Sequence, residues 1–439
     1  MAIATTRAKR RDEAMTLHRA IANSPAEATL AAQFAAVRGA TPSSRREAAF
    51  RRFEQAGLPT RRVESWHYTD LRAALTNPLP IAHAPDAAAI EAARAALAAL
   101  ARVAATRFVL LDGHYVAALS DAPPPGVSLA PTAPEAPAAG EIDAMAALNV
   151  ALALGGCAIA IEPGAEAPPI EVVHYVTPGA GAIYSRLEIS LGAGARGSVV
   201  ERFVGADAAT QRNVSTWIAL AARARASHFV SIEDAAGLHV ESQIATLAED
   251  TALDGFGFVA SGALVRRQIF ATLVGERARV GFAGLALIDG RRHADTTLEI
   301  IHDAPNGESR EFYKHIVADD GVGVFQGKVI VKPGAQKTDG GMKSQAILLS
   351  PQASMNNKPE LEIFADDVVC GHGATVGALD PEQVFYLQAR GLPRREAEAM
   401  LLEAFGAEAI ARVADVEVAE ALLAMTRAWF AQRAGATPS

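Results

Sequence analysis

One short stretch of the chain combines a thiol with an imidazole: Cys370 and His372, separated and followed by Gly371 and Gly373. If residues 369–374 are extended, the two side chains share a face, about 6.6 Å apart along the strand. So placed, they can bind iron, zinc or sulfur species, or the imidazole can lower the thiol's pKa. The glycines leave that face uncluttered and permit close approach of another backbone. A chemically inert alternative fits the same spacing, a buried thiol beside a hydrogen-bonded histidine. The other cysteine, Cys157, lies beside Gly155 and Gly156 and reads as a small core residue. Two cysteines with no CxxC pair suggest neither a disulfide framework nor a structural zinc site. An iron–sulfur cluster is usually held by four thiolates, some replaceable by histidine, so any cluster on this chain needs ligands from other chains.

Other chemical motifs fail on inspection. Gly192, Gly194 and Gly197 match GxGxxG, but the residues that follow, 198–203, read as a strand where a dinucleotide site needs a helix. A tight turn between strands is the better reading. Gly327-Lys328 resembles the end of a phosphate-binding loop, yet Val322 and Val329 stand where its glycine and its magnesium-binding hydroxyl belong. No nucleotide is therefore expected on this chain. His302 with Asp303, and His315, read as structural or surface residues. Glu360, Glu362, Asp366 and Asp367 are the one dense acidic group near the Cys-His pair. A stand-alone enzyme acting on acidic polysaccharide would need such carboxylates in one open groove, but an extended run alternates its faces.

The elements that must position these residues fall into a helix–sheet–helix order. The first ~100 residues read as alanine-rich helix, with a segment over 43–56 that stops at Gly57 and a second over about 86–105. Residues 108–111 and 115–118 flank Asp112-Gly113 as a small hairpin. The proline-rich stretch 120–140 reads as a linker with little to pack, followed by a short helix over about 141–154. From about 158, short β-rich runs separated by glycines continue for some 200 residues. A sandwich, a propeller or a β-solenoid would each fit, and no clean repeat decides among them. Helix returns at Asp380, an N-cap with Pro381 after it and Gln383 at the capping-box position. A second helix begins at Pro393. A third, over about 416–432, carries Val418, Leu422, Met425 and Trp429 on one face, either core or the support of a docking surface; we read Leu422 and Met425 as core. Arg390, Arg394 and Arg395 are candidate docking residues on the preceding helices.

Composition narrows the class. A net charge of −8 and a pI near 5.8 argue against a nucleic-acid binder. No stretch approaches the ~20 apolar residues of a membrane span. Arg7, Lys9, Arg10 and Arg11 are followed by Asp12 and Glu13 where a signal peptide's apolar region should stand. A soluble cytoplasmic protein is expected.

Four stretches carry a resemblance. Residues 357–391, containing Cys370 and His372, closely resemble the SufD family of SUF iron–sulfur cluster assembly proteins. Residues 57–71, including Trp66, His67 and Tyr68, look like that family's N-terminal signature, and residues 323–328 and 335–339 look like its core signature. After Asp339 the chain is richer in glycine than the family pattern. The resemblance runs in order from about residue 45 to 430. It implies a mainly β fold with flanking helices: a right-handed parallel β-helix core over 156–378, an N-terminal helical region over 1–155 and a C-terminal helical domain over 379–439. It also implies a non-catalytic scaffold that pairs with SufB through the β-helix and binds the SufC ATPase through its C-terminal helices, with a homodimer possible in isolation. Cys370 and His372 match the family's Cys-x-His, which implies that they bind iron or a nascent, transient cluster at the interface with SufB. An interaction-only scaffold with an inert Cys-His pair is the alternative within the family. SufB-like proteins carry acid–His–acid where this chain has Gly371-His372-Gly373, and an upstream cysteine within the stretch matching 355–364, which has none here. Both departures point to SufD. Trp66, His67 and Tyr68 are expected to pack the N-terminal region.

Overall fold

The computed structural model describes residues 24–131, 142–205, 210–233 and 237–435. The basic run at 7–11 and most of the second half of the proline-rich stretch lie outside them.

The core is a parallel β-solenoid of about seven turns. Strands alternate between two sheets, so that each turn adds one strand to either wall. One wall contains β4 (Gly155–Ile161), β6 (Ala182–Leu191), β8 (Gln211–Leu220), β10 (Leu238–Leu247), β12 (Leu264–Leu273), β14 (His293–His302), β16 (Val322–Val331) and β18 (Ser354–Ile363). The other contains β5 (Ile170–Val176), β7 (Arg196–Gly205), β9 (Arg225–Ile232), β11 (Ala252–Val259), β13 (Arg279–Ile288), β15 (Glu308–Val317), β17 (Asp339–Leu348) and β19 (Val369–Gly377). Alternate residues point inward, and identical registers stack them into columns such as Leu191, Leu220, Leu247, Leu273, His302, Val331 and Ile363. The parallel pairing decides among the three architectures in favour of the solenoid.

The start of the solenoid is closed. β1 (Thr106–Leu111) pairs in parallel with β5 and in a short hairpin with β2 (His114–Tyr115). β3 (Val127–Ala130) pairs antiparallel with β4, so residues 127–130 are not linker: Val127 is buried and the segment borders the sheet. Helices α1 (Pro25–Ala40), α2 (Ser44–Ala56), the single turn α3 (Leu71–Ala74), α4 (Ala87–Ala99) and α5 (Ala144–Leu152) belong to this half. α5 is buried from Met145 to Leu152; its Asn149 donates to the Ser185 and Asn213 carbonyls and accepts from the Ser215 hydroxyl. α2 is capped by Ser43 and ends at Gly57, whose φ of 70° favours glycine.

Three helices complete the chain: α6 (Pro381–Ala389), α7 (Arg394–Ile410) and α8 (Val416–Gly435). Asp380 caps α6 through the Glu382 amide. Leu402, Ile410, Val418, Leu422 and Trp429 pack with Phe256, Leu285 and Phe312 on the outer face of the β5–β19 wall. The apolar face of α8 is therefore core, with Met425 half-buried against it. The buried Lys314 on β15 reaches α7, donating to Glu408 with its ammonium 3.9 Å from the Phe405 ring centroid. No helix among the described residues is long and apolar enough to cross a membrane.

Candidate functional site

The far end of the solenoid is open. β18 pairs only with β16, and β19 only with β17; among the described residues no strand continues either wall. Their outward edges leave two rows of backbone N–H and C=O groups unpaired. β18 is half-buried to exposed along its length and β19 is almost wholly exposed, with Val369 at 73% and Phe364, in the connecting turn, at 60%. From β4 to β16 the strands bury most of their residues, so the difference comes from the lack of a next turn among the described residues.

Cys370 and His372 stand on this end, on the same face of β19, as the spacing predicts. Cys370 lies opposite Gly340 and His372 opposite the buried Met342. Met342 belongs to the solenoid's interior cluster and Cys370 packs against that cluster, so both members of the pair face the lumen. Cys370 is half-buried and His372 exposed. Gly340 leaves room beneath the thiol: a methyl group there would meet Cys370 Sγ at 3.4 Å and Ser309 Oγ, one turn deeper, at 3.6 Å. Gly371 and Gly373 have open space where side chains would be. Burial pushes the Cys370 thiol above its ordinary value; the Gly340 amide and Arg310 oppose this, and Asp339 and Glu311 reinforce it. The thiol therefore waits in its protonated form.

No group of three or more His, Cys, Asp and Glu side chains among the described residues could hold a metal ion. The two candidate ligands therefore stand without a third such side chain among the described residues. Nearby acids do not supply one. Glu360 and Glu362 project from the outer face of β18, where they pair with Lys358 at 3.1 Å and Lys328 at 2.6 Å. Asp367, in the turn before β19, pairs with Lys337. Dispersed in this way, they form no catalytic groove.

The remaining candidates fall in the interior or in turns. Cys157 is fully buried and burial raises its pKa strongly. His302 and His315 are buried, each pushed down to about 4 by burial. Asp303 pairs with Lys332 at 2.9 Å. Gly192 and Gly194 lie in the turn from β6 to β7, Gly197 is already inside β7, and Lys328 sits within β16, so neither motif forms a phosphate loop. Trp66 packs as expected, fully buried, donating to Asp143 at 2.9 Å and covered by the Arg266 guanidinium, but His67 is exposed. On α6 and α7, Arg390 bonds Tyr386 and Arg394 bonds Glu398, while Phe385 (71%), Tyr386 and Met400 are exposed beside them.

Sequence reasoning missed Ser309 and Glu311, which occupy inward positions two strands below Cys370 and His372 in the same columns. Little in the sequence could have found them, because β15 reads Glu-Ser-Arg-Glu-Phe-Tyr-Lys-His-Ile-Val with polar residues on both faces.

Comparison with known proteins extends these observations. The chain matches the family model described as "SUF system FeS cluster assembly, SufBD core domain" over residues 174–405, and "SufBD protein N-terminal region" over 39–167. It is 34% identical to the iron–sulfur cluster assembly protein SufD of Escherichia coli over 380 residues, covering 84% of this chain and 89% of that one. An iron–sulfur cluster assembly SufBD family protein of Synechocystis is 37% identical over 34% of this chain and 33% of its own length. One from Mycobacterium leprae is 29% identical over 43% and 50%.

Proposed function

This chain belongs to the SufD family of SUF iron–sulfur cluster assembly proteins, and from that premise we propose that it is a scaffold subunit pairing with SufB through the open end of its solenoid. The observation that carries this reading is the uncovered pair β18–β19. Two unpaired edges, one on each wall, lie beside exposed Ile363, Phe364, Val369 and Val376. A soluble protein rarely leaves such edges bare, and a second β-solenoid stacked there would pair both. In isolation, a second copy of the chain can take the same place.

Cys370 and His372 then face the partner and supply two ligands to iron or to a nascent cluster, the cargo of the site. SufB supplies the rest, which accounts for the lack of a third ligand nearby. The thiol loses its proton when it binds metal, as every thiolate ligand must. The ATPase SufC docks on the C-terminal helices, where Phe385, Tyr386 and Met400 are exposed beside Arg390 and Arg394. ATP hydrolysis belongs to SufC, and this chain has no catalytic step of its own. The reading divides the chain into an N-terminal region to 155, the β-helix over 156–378 and a C-terminal helical domain from 379. Both cysteines are free thiols, as suits a reducing cytoplasm.

The test is anaerobic cluster assembly by the complex with SufB and SufC, comparing wild type with Cys370→Ala and His372→Ala. Both variants are expected to join the complex and to lose most of the cluster yield. Full yield from both leaves an interaction-only scaffold, and absence of any complex removes the proposal itself.

A further inference from the structure

A buried acid beneath the Cys370–His372 face has no role in folding that its surroundings disclose. Glu311 points into the lumen from β15, in register with Phe282 on one side and Met342, then His372, on the other. It is 2% exposed, and neither carboxylate oxygen has a hydrogen-bond partner among the described residues. Burying an unpartnered carboxyl is costly, and a fold retains one only where something offsets the cost. Its polar neighbours on the strand are also short of partners: the Ser309 and Tyr313 hydroxyls and His315 Nδ1 make no hydrogen bond among the described residues. Ser309 and Tyr313 flank it on its own strand, and His315 lies further along. Across the lumen, β16 presents Phe325 and Val329, and Arg267 on β12 is held by Glu241 at 2.9 Å and 3.0 Å. Arg310, on the outer face of β15, pairs with Asp339 and Glu308. No cation faces Glu311 inside the solenoid among these neighbours.

We propose that Glu311 is the charge-compensating carboxyl of the Cys370–His372 site, neutral while that site is empty and ionised when a cation is held there. The inference rests on the ligand reading given above. β17 separates Glu311 from both ligands, so it acts through the field rather than by contact. Burial pushes the carboxyl up to about 8, tempered by Arg310 and by the Ser309 hydroxyl, which lies near it without completing a hydrogen bond, so it is mostly protonated at neutral pH. A divalent metal that displaces the Cys370 proton leaves one net positive charge at the site. Two strand spacings put that charge roughly 10 Å from Glu311. At an effective dielectric of about 20, it favours the carboxylate on the order of tenfold. The proton leaves to solvent through the open end: Cys–SH and M²⁺ give Cys–S–M⁺ and H⁺, and Glu–COOH gives Glu–COO⁻ and H⁺.

Two measurements on the full chain test this. In the first, Zn²⁺ is titrated calorimetrically at pH 7.5 in buffers of different ionisation enthalpy, which counts the protons released. Wild type is expected to release about half a proton more per metal than Glu311→Gln, and equal counts would overturn the proposal. In the second, Cys370 receives a fixed positive charge through a trimethylammonium-bearing methanethiosulfonate, with the neutral methyl reagent as control. The Glu311 acid carbonyl band, assigned by its loss in Glu311→Gln, is expected to persist with the neutral group and to fall by more than half with the cationic one. A band that ignores the charge would overturn the proposal. If Zn²⁺ fails to bind the chain alone, two ligands do not suffice without SufB; the cluster-assembly test then decides the ligand reading, and the fixed-charge measurement still decides the role of Glu311.

Discussion

At the residue scale, the two thiols of the chain are set apart by position alone. Cys157 is sealed in the lumen, whereas Cys370 ends a column that no strand among the described residues covers. In the native protein, iodoacetamide should alkylate Cys370 and spare Cys157, with mass spectrometry of the digested protein as the readout. Because burial raises the Cys370 pKa, the rate should be slow at pH 7 and climb as pH rises past 9. Gly257 illustrates a different constraint. A methyl group there would stand 1.5 Å from the Arg267 guanidinium, which fills the space to reach Glu241. Gly257→Ala displaces a buried ion pair, and urea unfolding should register a loss of about 2–4 kcal/mol. The same position shows why β11 is hard to see in a sequence. Its Gly255 and Gly257 read as breakers, but they are strand residues made small by Phe282 and Arg267. β17, with Gly340 and Gly341, escapes notice for the same reason.

At the scale of elements, β18 and β19 are the sheet edges, and Val376, 47% exposed, lies on the edge strand β19 on the same face as Cys370 and His372. Val376→Lys should abolish association with SufB, and any homodimer, while leaving the far-ultraviolet circular dichroism and thermal midpoint unchanged; size-exclusion chromatography with light scattering reads the outcome. The C-terminal helices are held partly by Lys314 to Glu408 and by Arg433 to Asp319. Glu408→Gln removes the acid from a buried ammonium, and hydrogen exchange over 381–435 should speed up relative to the solenoid. The helix boundaries were legible from their caps: Ser43, Gly57, Asp380 and Pro393 mark real ends. The exposed Phe385 and Tyr386 were not, because a helix pattern alone does not reveal which apolar residues its neighbours leave uncovered.

At the scale of the molecule, the solenoid has a period that the sequence conceals. Successive turns advance by 26 residues from Leu238 to Leu264, 29 from His293 to Val322, and 32 from Val322 to Ser354. One corner is turned by a left-handed residue each time, but it is Gly194, Arg223, Asp250, Arg277, Asn306 and then Lys337. A varying spacing and a corner with no fixed residue leave no repeat to detect, so the β-rich texture was readable and the architecture came only through family resemblance. The Cys-His pair was readable as a weak motif; its place on an open end was not, because that depends on which strand is last. The buried titratable groups give a pH signature. His302 and His315, neutral in the fold down to about pH 4, contribute stability above their unfolded value of 6.5 that is lost as pH falls toward 4. Glu311, raised from 4.5 to about 8, contributes stability below 4.5 that is lost as pH rises to 8. Stability should therefore peak near pH 6.5 and fall by about 1–2 kcal/mol by pH 8, a decline that Glu311→Gln should flatten.

The central claim is that Cys370 ligates iron at the open end of the solenoid. Selenocysteine placed at position 370 allows the ligand atom itself to be observed, by selenium-edge X-ray absorption of the complex with SufB and SufC after anaerobic loading with iron and sulfide. An iron atom is expected among the nearest neighbours of selenium, present after loading and absent before it. A selenium atom that sees only carbon in a complex carrying a full complement of cluster would contradict it.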